Sequence, residues 1–252
     1  ITNQKGGVGK TTTSVNLAAS LAATKRKSLL IDLDPQGNAT MGSGVEKKTV
    51  SASCYDVLAG GKRLADCLIQ ERSVGYDLLP GNSDLTGVEV RLLDTMNPEI
   101  RLRESLGPIR DEYAYILIDC PPSLNMLTVN ALVAADAVVI PTQCEYYALE
   151  GLSGLLETIG KIQKILNPDL KIEGLLRTMF DSRNNLANEV SQQLLEYFGD
   201  KVYHTIIPRN VRLAEAPSYG LPVITYDKSS AGAVAYLALA GELLRKEIVS
   251  DV

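Results

Sequence analysis

The sequence is poor in the residues that metal and redox sites need. It has one histidine and four cysteines in 252 residues, and the cysteines form no C-x-x-C pair. Scattered cysteines are typical of reduced core residues in a cytosolic protein. The single histidine, His204, lies in a predicted strand without a candidate partner, so we expect a packing or surface role for it. Composition therefore gives no support for a metal centre built from these residues.

Long apolar runs and a strong charge are also absent. No apolar run approaches the ~18 residues that span a bilayer, and no signal peptide is recognisable, so we expect a cytoplasmic protein. The net charge of −5 argues against a general nucleic-acid coat protein, although it leaves room for a local basic patch. No linker or low-complexity tract marks a boundary, and we expect a single domain over residues 1–252.

Short apolar runs alternate with segments of helical period. The helical segments are 11–23, 149–166, 186–198 and 231–247, and the predicted strands are 27–32, 76–79, 115–119, 137–140, 172–176, 203–207 and 222–225. This alternation predicts an α/β fold, a doubly wound, mostly parallel twisted sheet with helices on both faces. Ligands of such sheets bind at the carboxyl ends of the strands.

The first twelve residues include a glycine-rich loop that closes on Gly-Lys-Thr. Such a loop places backbone N–H groups around phosphates, a lysine on the β- and γ-phosphates and a threonine hydroxyl on Mg²⁺. Gln4 stands where the usual template has glycine, and Lys5 is a second loop lysine without an evident role. A phosphate loop normally follows a strand, so we expect most of the first strand to precede Ile1. The predicted nucleotide-binding residues of the loop are Lys5, Gly6, Gly7, Val8, Gly9, Lys10, Thr11 and Thr12.

Two carboxylates stand at predicted strand ends. Asp119 closes an apolar run, which is the place of a Walker B aspartate, and we predict that it and Thr11 hold Mg²⁺. Asp32 and Asp34 flank Leu33, so the alternation of a strand turns both carboxylates to one side. We interpret the segment from Asp34 as a switch whose carboxylate positions the attacking water.

These motifs resemble the deviant Walker A ATPases, the P-loop NTPases of the MinD/ParA superfamily. The resemblance rests on KGGVGKTT from Lys5, DPQGN from Asp34 and DCPP from Asp119. The later segments QCEYYALEG from Gln143 and PRNVRLAEAPS from Pro208 narrow it to the ParA/Soj chromosome-partitioning branch. The likeness extends from one end of the chain to the other.

The resemblance implies a role for the second lysine. Members of this family form an ATP-bound homodimer in which two subunits enclose two nucleotides. By this likeness, Lys5 acts on the partner's phosphates, Lys10 acts on its own, and Asp34 is the hydrolytic aspartate. Met179 and Pro208 match positions near the adenine. The implied activity is a weak ATPase, dependent on ATP and Mg²⁺, that a ParB-type partner stimulates.

The family also implies nonspecific binding of double-stranded DNA by the ATP dimer, and hence a nucleoid-associated protein that segregates chromosomes or plasmids. Arg183 and Arg212 match the family's DNA-contacting positions, with Arg209 and Lys228 as further candidates. Acidic residues are interspersed among these cations. For any one arginine, a solvated surface charge is an equal alternative to a phosphate contact. At 227–232 the chain has DKSSAG, which lacks at least one cation of the family pattern.

Two alternatives belong to other classes. A membrane-positioning ATPase resembling MinD would need a C-terminal amphipathic helix rich in lysine and arginine. The tail 243–252 has two cations and two acids, so we expect it to be a docked last helix with no membrane contact. A reductase resembling the nitrogenase iron protein would need cysteines from both subunits at an interface, and no residue pairs sensibly with Cys120.

Overall fold

The computed structural model describes residues 1–71, 73–92 and 95–250. The strands are β1 Ser28–Asp32, β2 Ile69–Glu71, β3 Tyr76–Leu79, β4 Tyr115–Asp119, β5 Ala137–Gln143 and β6 Lys171–Thr178. The helices are α1 Lys10–Ala23, α2 Asn38–Gly42, α3 Cys54–Leu58, α4 Val88–Leu92, α5 Arg101–Leu106, α6 Met126–Ala134, α7 Ala148–Ile165, α8 Asn185–Phe198, α9 Val211–Glu215, α10 Val223–Tyr226 and α11 Ala231–Ser250. Short 3₁₀ turns include Ser83–Gly87 and Ala216–Tyr219.

The sheet is mostly parallel. Its first part has the order β2-β3-β1-β4, in which β1 pairs in parallel with β3 and β4 while β2 is an antiparallel edge. The second part is the parallel pair of β5 and β6. Residues 1–2 join the two parts, because Ile1 N donates to Ile118 O at 2.7 Å and Thr2 N donates to Val139 O at 3.2 Å.

Side-chain alternation along β1 explains why helices cover both faces. Leu29 and Ile31 belong to a buried cluster that includes residues of α3, α5 and α6. Leu30 points to the other face, where Val15 and Ala18 of α1 pack against it. Each face of the strand is thus apolar and covered, as expected for a doubly wound sheet. The predicted fold class is confirmed.

The predicted strand 222–225 is wrong. Residues Val223–Tyr226 form α10, in which Pro222 is the N-cap residue and its carbonyl accepts from Thr225 N and Tyr226 N, each at 3.0 Å. Val223 is fully buried. A four-residue apolar run fits a buried helical turn as well as a strand, and periodicity cannot separate the two.

The predicted strand 203–207 is interrupted. Tyr203 N and Ile207 N donate to β6 carbonyls at 3.0 and 2.9 Å, as a parallel neighbour would. Between them, His204 N and Thr205 N donate instead to the Glu242 carboxylate of α11, at 2.7 and 2.9 Å. The Glu242 side chain therefore takes the place of the strand hydrogen bonds in the middle of this segment. A local sequence pattern does not reveal such a contact with a distant helix. The first described residues of the tail continue α11, and Asp251 and Val252 lie outside the described residues.

Candidate functional site: a phosphate loop at the strand ends

The glycine-rich loop connects residues 1–2 of the sheet to α1. Gly7 and Gly9 have φ of 74° and 87°, a region that side chains with Cβ rarely adopt. Thr178, the last residue of β6, donates its hydroxyl to Val8 O at 2.7 Å and so fixes the loop from the neighbouring sheet. The loop leads directly into the N-terminus of α1, where backbone N–H groups stabilise anions.

Lys10 is the buried cation of this loop. Its side chain lies among protein atoms at 7% relative exposure, and Nζ donates to Lys5 O at 3.0 Å. Among the described residues, no carboxylate lies within ion-pair distance of this ammonium. Burial lowers the pKa of Lys10, and the charges of Asp119 and Asp34 oppose that shift. A buried ammonium without a bonded counter-ion fits a phosphate chain in the cradle.

Asp119 gathers two hydroxyls at the end of β4. Its Oδ2 accepts from Thr11 Oγ1 and its Oδ1 from Ser14 Oγ, both at 2.8 Å. Burial raises the pKa of Asp119, and the two hydroxyl donors lower it in part. Carboxylate and hydroxyl oxygens suit Mg²⁺, which keeps several waters and takes few protein ligands. Ser14 was missed at the sequence level, although its place one helical turn beyond Thr11 was a usable signal.

Asp34 and Asp32 have different surroundings. Asp34 lies just beyond β1, where the strand has ended, and it lines the cavity above the loop. Asp32 is fully buried, and its Oδ2 accepts from Thr40 N and Thr40 Oγ1, both at 2.7 Å. Only Asp34 of this pair therefore faces the phosphate loop.

The cavity has a volume of about 520 Å³, within the range of small-molecule sites. Met179, which follows β6, and Pro208, which pairs with Phe180, both line it, so the two predicted adenine neighbours share the cavity with Asp34. Met179 has φ of 49°, an uncommon conformation outside glycine. Most of the residues predicted for the nucleotide line this one space, and Lys5 and Val8 are outside its lining. The lining also includes Thr178, Ile207, Arg209, Asn210 and Tyr236.

Lys5 is directed at Glu145 within the same chain. Lys5 Nζ and Glu145 Oε2 lie 2.5 Å apart, and both side chains are partly exposed. Gly6 beside it is exposed, and a Cβ built there would meet no described atom within 4 Å. Tyr146 and Tyr147 follow Glu145 at 75% and 65% exposure. The face around the loop therefore carries exposed aromatic side chains and an open glycine.

The predicted DNA-contacting residues lie in two electrostatic settings. Arg183 forms a bidentate pair with Asp181 at 2.9 and 2.8 Å. Arg212 contacts Glu215 at 2.8 Å and Asp227 at 3.3 Å. Arg209 and Lys228 are exposed, and the described residues offer no ion-pair partner to either. The two arginines that best match the family pattern are thus the ones already paired with carboxylates.

Known proteins resemble this chain over nearly its whole length. A family model described as an AAA domain matches residues 1–172. The sporulation initiation inhibitor protein Soj of Bacillus subtilis is 55% identical over 96% of this chain and 96% of the relative. The chromosome partitioning protein ParA of Myxococcus xanthus is 52% identical over 98% of this chain and 87% of the relative. The chain belongs to the ParA/Soj family of chromosome-partitioning ATPases.

A solved structure supports the same fold for this ParA/Soj chain. Cobyrinic acid a,c-diamide synthase of Mycobacterium smegmatis, with bound ADP and magnesium, is 37% identical with a TM-score of 0.84. The match covers 96% of this chain and 91% of that one. The family predicted from the sequence is confirmed, and the chain is an ATPase. Within the described residues, no helix of this ParA/Soj chain is long and apolar enough to cross a membrane.

Proposed function

We propose that the chain is an ATP-dependent dimerisation switch that binds DNA in its ATP state and releases it after hydrolysis. One observation carries the proposal: Lys10, Thr11 and Asp34 line a single cavity at the strand ends, and the buried Asp119 is hydrogen-bonded to Thr11 behind it. This arrangement supplies a cation for phosphates, oxygen ligands for a metal and a carboxylate for water. The family relationship gives the nucleotide as ATP and the metal as Mg²⁺.

In this proposal, Lys10, Thr11, Asp119 and Asp34 each have a task in the reaction. Lys10 neutralises the β- and γ-phosphates, and the N-terminus of α1 adds its backbone N–H groups. Thr11 and Asp119 would hold the metal, which would offset the charge of the phosphates. Asp34 accepts a hydrogen bond from the attacking water and orients it. In this description the chain contributes positioning and electrostatics to phosphoryl transfer, and the chemistry takes place on the nucleotide.

The second copy of the chain binds on the face around Gly6. Lys5 reaches the partner's phosphates there once it leaves Glu145. The exposed Tyr146 and Tyr147 rings, 5.0 Å apart in an edge-to-face pair, supply apolar area at that face. Aromatic side chains of this kind are enriched in interface cores. ATP then belongs to both subunits, so the nucleotide state sets the oligomeric state.

Dimerisation enables DNA binding because it doubles the number of cations that can contact DNA phosphates. The candidate cations Arg183, Arg209, Arg212 and Lys228 lie in a chain whose net charge is −5, so a monomer has little general attraction for DNA. A dimer carries two copies of these four cations and can neutralise twice as many phosphates. The affinity for DNA rises steeply with the number of phosphates that are neutralised. A ParB-type partner that stimulates hydrolysis then returns the dimer to monomers, and the ATP-bound dimer is nucleoid-associated.

The MinD-like alternative finds no support in α11, which is docked on the domain. Lys246 of α11 donates to Glu173 O at 3.1 Å and lies 4.3 Å from the centre of the Tyr203 ring. A membrane-binding helix would keep such cations on a free polar face. The described part of α11 therefore favours a structural role.

The experiment that tests the proposal is Asp34→Ala. We expect kcat for ATP hydrolysis to fall about 10²–10⁴-fold, because a group that positions the water is removed. ATP binding remains, so the variant should form a stable dimer with ATP and Mg²⁺ and bind DNA. Size-exclusion chromatography with light scattering gives the oligomeric state, and DNA titrations at several salt concentrations give the number of phosphate contacts.

The matched control is Lys10→Gln, which should remain monomeric with ATP because it loses the phosphate-binding cation. An Asp34→Ala protein that stays monomeric at saturating ATP and Mg²⁺ refutes the dimerisation switch. An Asp34→Ala protein that hydrolyses ATP at an unchanged rate refutes the role of Asp34.

A further inference from the structure

One buried carboxylate closes the Asp34 loop at both ends. Asp32 Oδ1 accepts from Asp34 N at 3.2 Å, and Oδ2 accepts from Thr40 N and from Thr40 Oγ1, both at 2.7 Å. Asp32 has no exposed surface. The carboxylate therefore joins the first residue of the loop to α2, the helix in which the loop ends.

Thr40 extends this connection to the neighbouring strand. Its Oγ1 donates to Asp32 and accepts from Gly81 N at 2.9 Å. Gly81 lies just beyond β3, and a Cβ there would overlap Asp32 O and lie 3.0 Å from Asp32 Cγ. The three residues thus form a packed hydrogen-bonded chain without room for an additional side chain at Gly81.

The Asp34 side chain is 8% exposed and has few hydrogen-bond partners. Within the described part of the chain, its carboxylate has one hydrogen-bond donor, Gln36 N, which lies 2.9 Å from Oδ1. The backbone adds one contact, from Gly37 N to Asp34 O at 2.8 Å. Its position relative to the phosphate loop therefore depends on what holds the backbone on either side. Leu33 N donates to Asp119 O at 3.0 Å before it, and the Asp32 carboxylate is the group that holds both Asp34 N and α2.

We propose that Asp32 and Thr40 are positioning residues for ATP hydrolysis, which place Asp34 without touching the nucleotide or the water. This inference rests on the proposed function, because it requires Asp34 to be the hydrolytic carboxylate. The rate of catalysis depends strongly on the position of the catalytic group, and a displacement of about 1 Å lowers the rate about a hundredfold. Without the Thr40 hydroxyl, Asp32 loses one of its hydrogen-bond donors and Gly81 N loses its acceptor. The Asp34 loop then becomes more mobile, while the phosphate loop stays in place.

The test compares two substitutions of Thr40. Thr40→Val keeps the shape and removes the hydroxyl, whereas Thr40→Ser removes the methyl group and keeps the hydroxyl. We expect Thr40→Val to lower kcat about ten- to hundredfold, with the Kd for a non-hydrolysable ATP analogue within about twofold of the parent. Thr40→Ser should retain most of the parent kcat. Circular dichroism melts establish that each protein is folded.

A double-mutant cycle separates positioning from general damage. In the Asp34→Ala background, Thr40→Val should have no further effect on the residual rate, because both act through one carboxylate. Asp32→Asn, which keeps the side-chain shape, serves in the same cycle if Thr40→Val does not fold, and should give the same loss of kcat.

The outcomes are distinct from those for the proposed function. Unchanged kcat in folded Thr40→Val and in folded Asp32→Asn overturns the inference, and so does a loss that persists in full in the Asp34→Ala background. If Asp34→Ala itself hydrolyses ATP normally, the proposed function has failed, and the inference fails with it.

Discussion

Lys5 Nζ and Glu145 Oε2 form an ion pair at 2.5 Å that joins the phosphate loop to the segment after β5. The two residues are 140 positions apart in sequence. In the proposed dimer Lys5 must serve the partner's phosphates, so this contact competes with the dimeric arrangement. The pair is partly exposed, which makes it weak enough to exchange when a phosphate chain is available.

The first prediction concerns Glu145. Glu145→Gln should free Lys5 and lower the ATP concentration needed for dimerisation by about two- to tenfold, since two partly exposed pairs are removed per dimer. Analytical ultracentrifugation across an ATP titration measures this. Glu150→Gln makes the same charge change at an exposed position of α7 and should have no comparable effect. Weaker dimerisation of Glu145→Gln would show that Glu145 serves the dimer and does not restrain the monomer.

The second prediction separates the two loop lysines. Lys5→Gln should bind ATP with near-parental affinity, yet remain monomeric and lose ATP-dependent DNA binding. Lys10→Gln should lose nucleotide affinity itself, because Lys10 is the buried cation of the cradle. Fluorescent-nucleotide titration and light scattering give the two quantities. Equal loss of ATP affinity in both variants would contradict a role of Lys5 in the partner's site.

The third prediction concerns Arg183, whose guanidinium is bound by Asp181. The bond to Arg183 lowers the pKa of Asp181 to about 2, so the pair stays ionised at neutral pH. Asp181→Asn should release Arg183 and raise the DNA affinity of the ATP dimer about two- to fivefold. This factor corresponds to the usual interaction energy of an exposed ion pair. Filter binding across salt measures this.

Glu189→Gln removes the same charge from exposed α8 and controls for net charge. Arg183→Glu should lose DNA binding while it retains dimerisation. If Asp181→Asn and Glu189→Gln behave alike, Arg183 is not a phosphate contact.

The fourth prediction concerns stability at Gly81. Gly81→Ala should destabilise the fold by about 1–3 kcal/mol, because its Cβ overlaps Asp32 O and the packed core cannot easily move. Gly87→Ala is the control, since a Cβ there meets no described atom within 4 Å. Urea unfolding gives both values. Equal midpoints for the two variants would show that the end of β3 moves freely.

Local sequence patterns were sufficient to predict structure where one short segment contains all the residues that form the feature. The glycines of the phosphate loop, the helical period after Lys10 and the apolar run that ends at Asp119 all predict structure within a few residues of themselves. The same reasoning failed at 222–225, where a short apolar run fits two structures. It was incomplete at 203–207, because the donors there are bound by Glu242 of a distant helix.

The sequence by itself determined the family, the doubly wound fold and the identity of the phosphate loop, since these depend on local residue types and spacing. Tertiary structure alone decided which partners these residues have. It placed Glu145 on Lys5, Ser14 on Asp119 and Thr40 on Asp32. The physical reason is that a hydrogen bond or ion pair needs approach within a few ångströms. For contacts between distant segments, only the packing of the sheet and helices sets that approach.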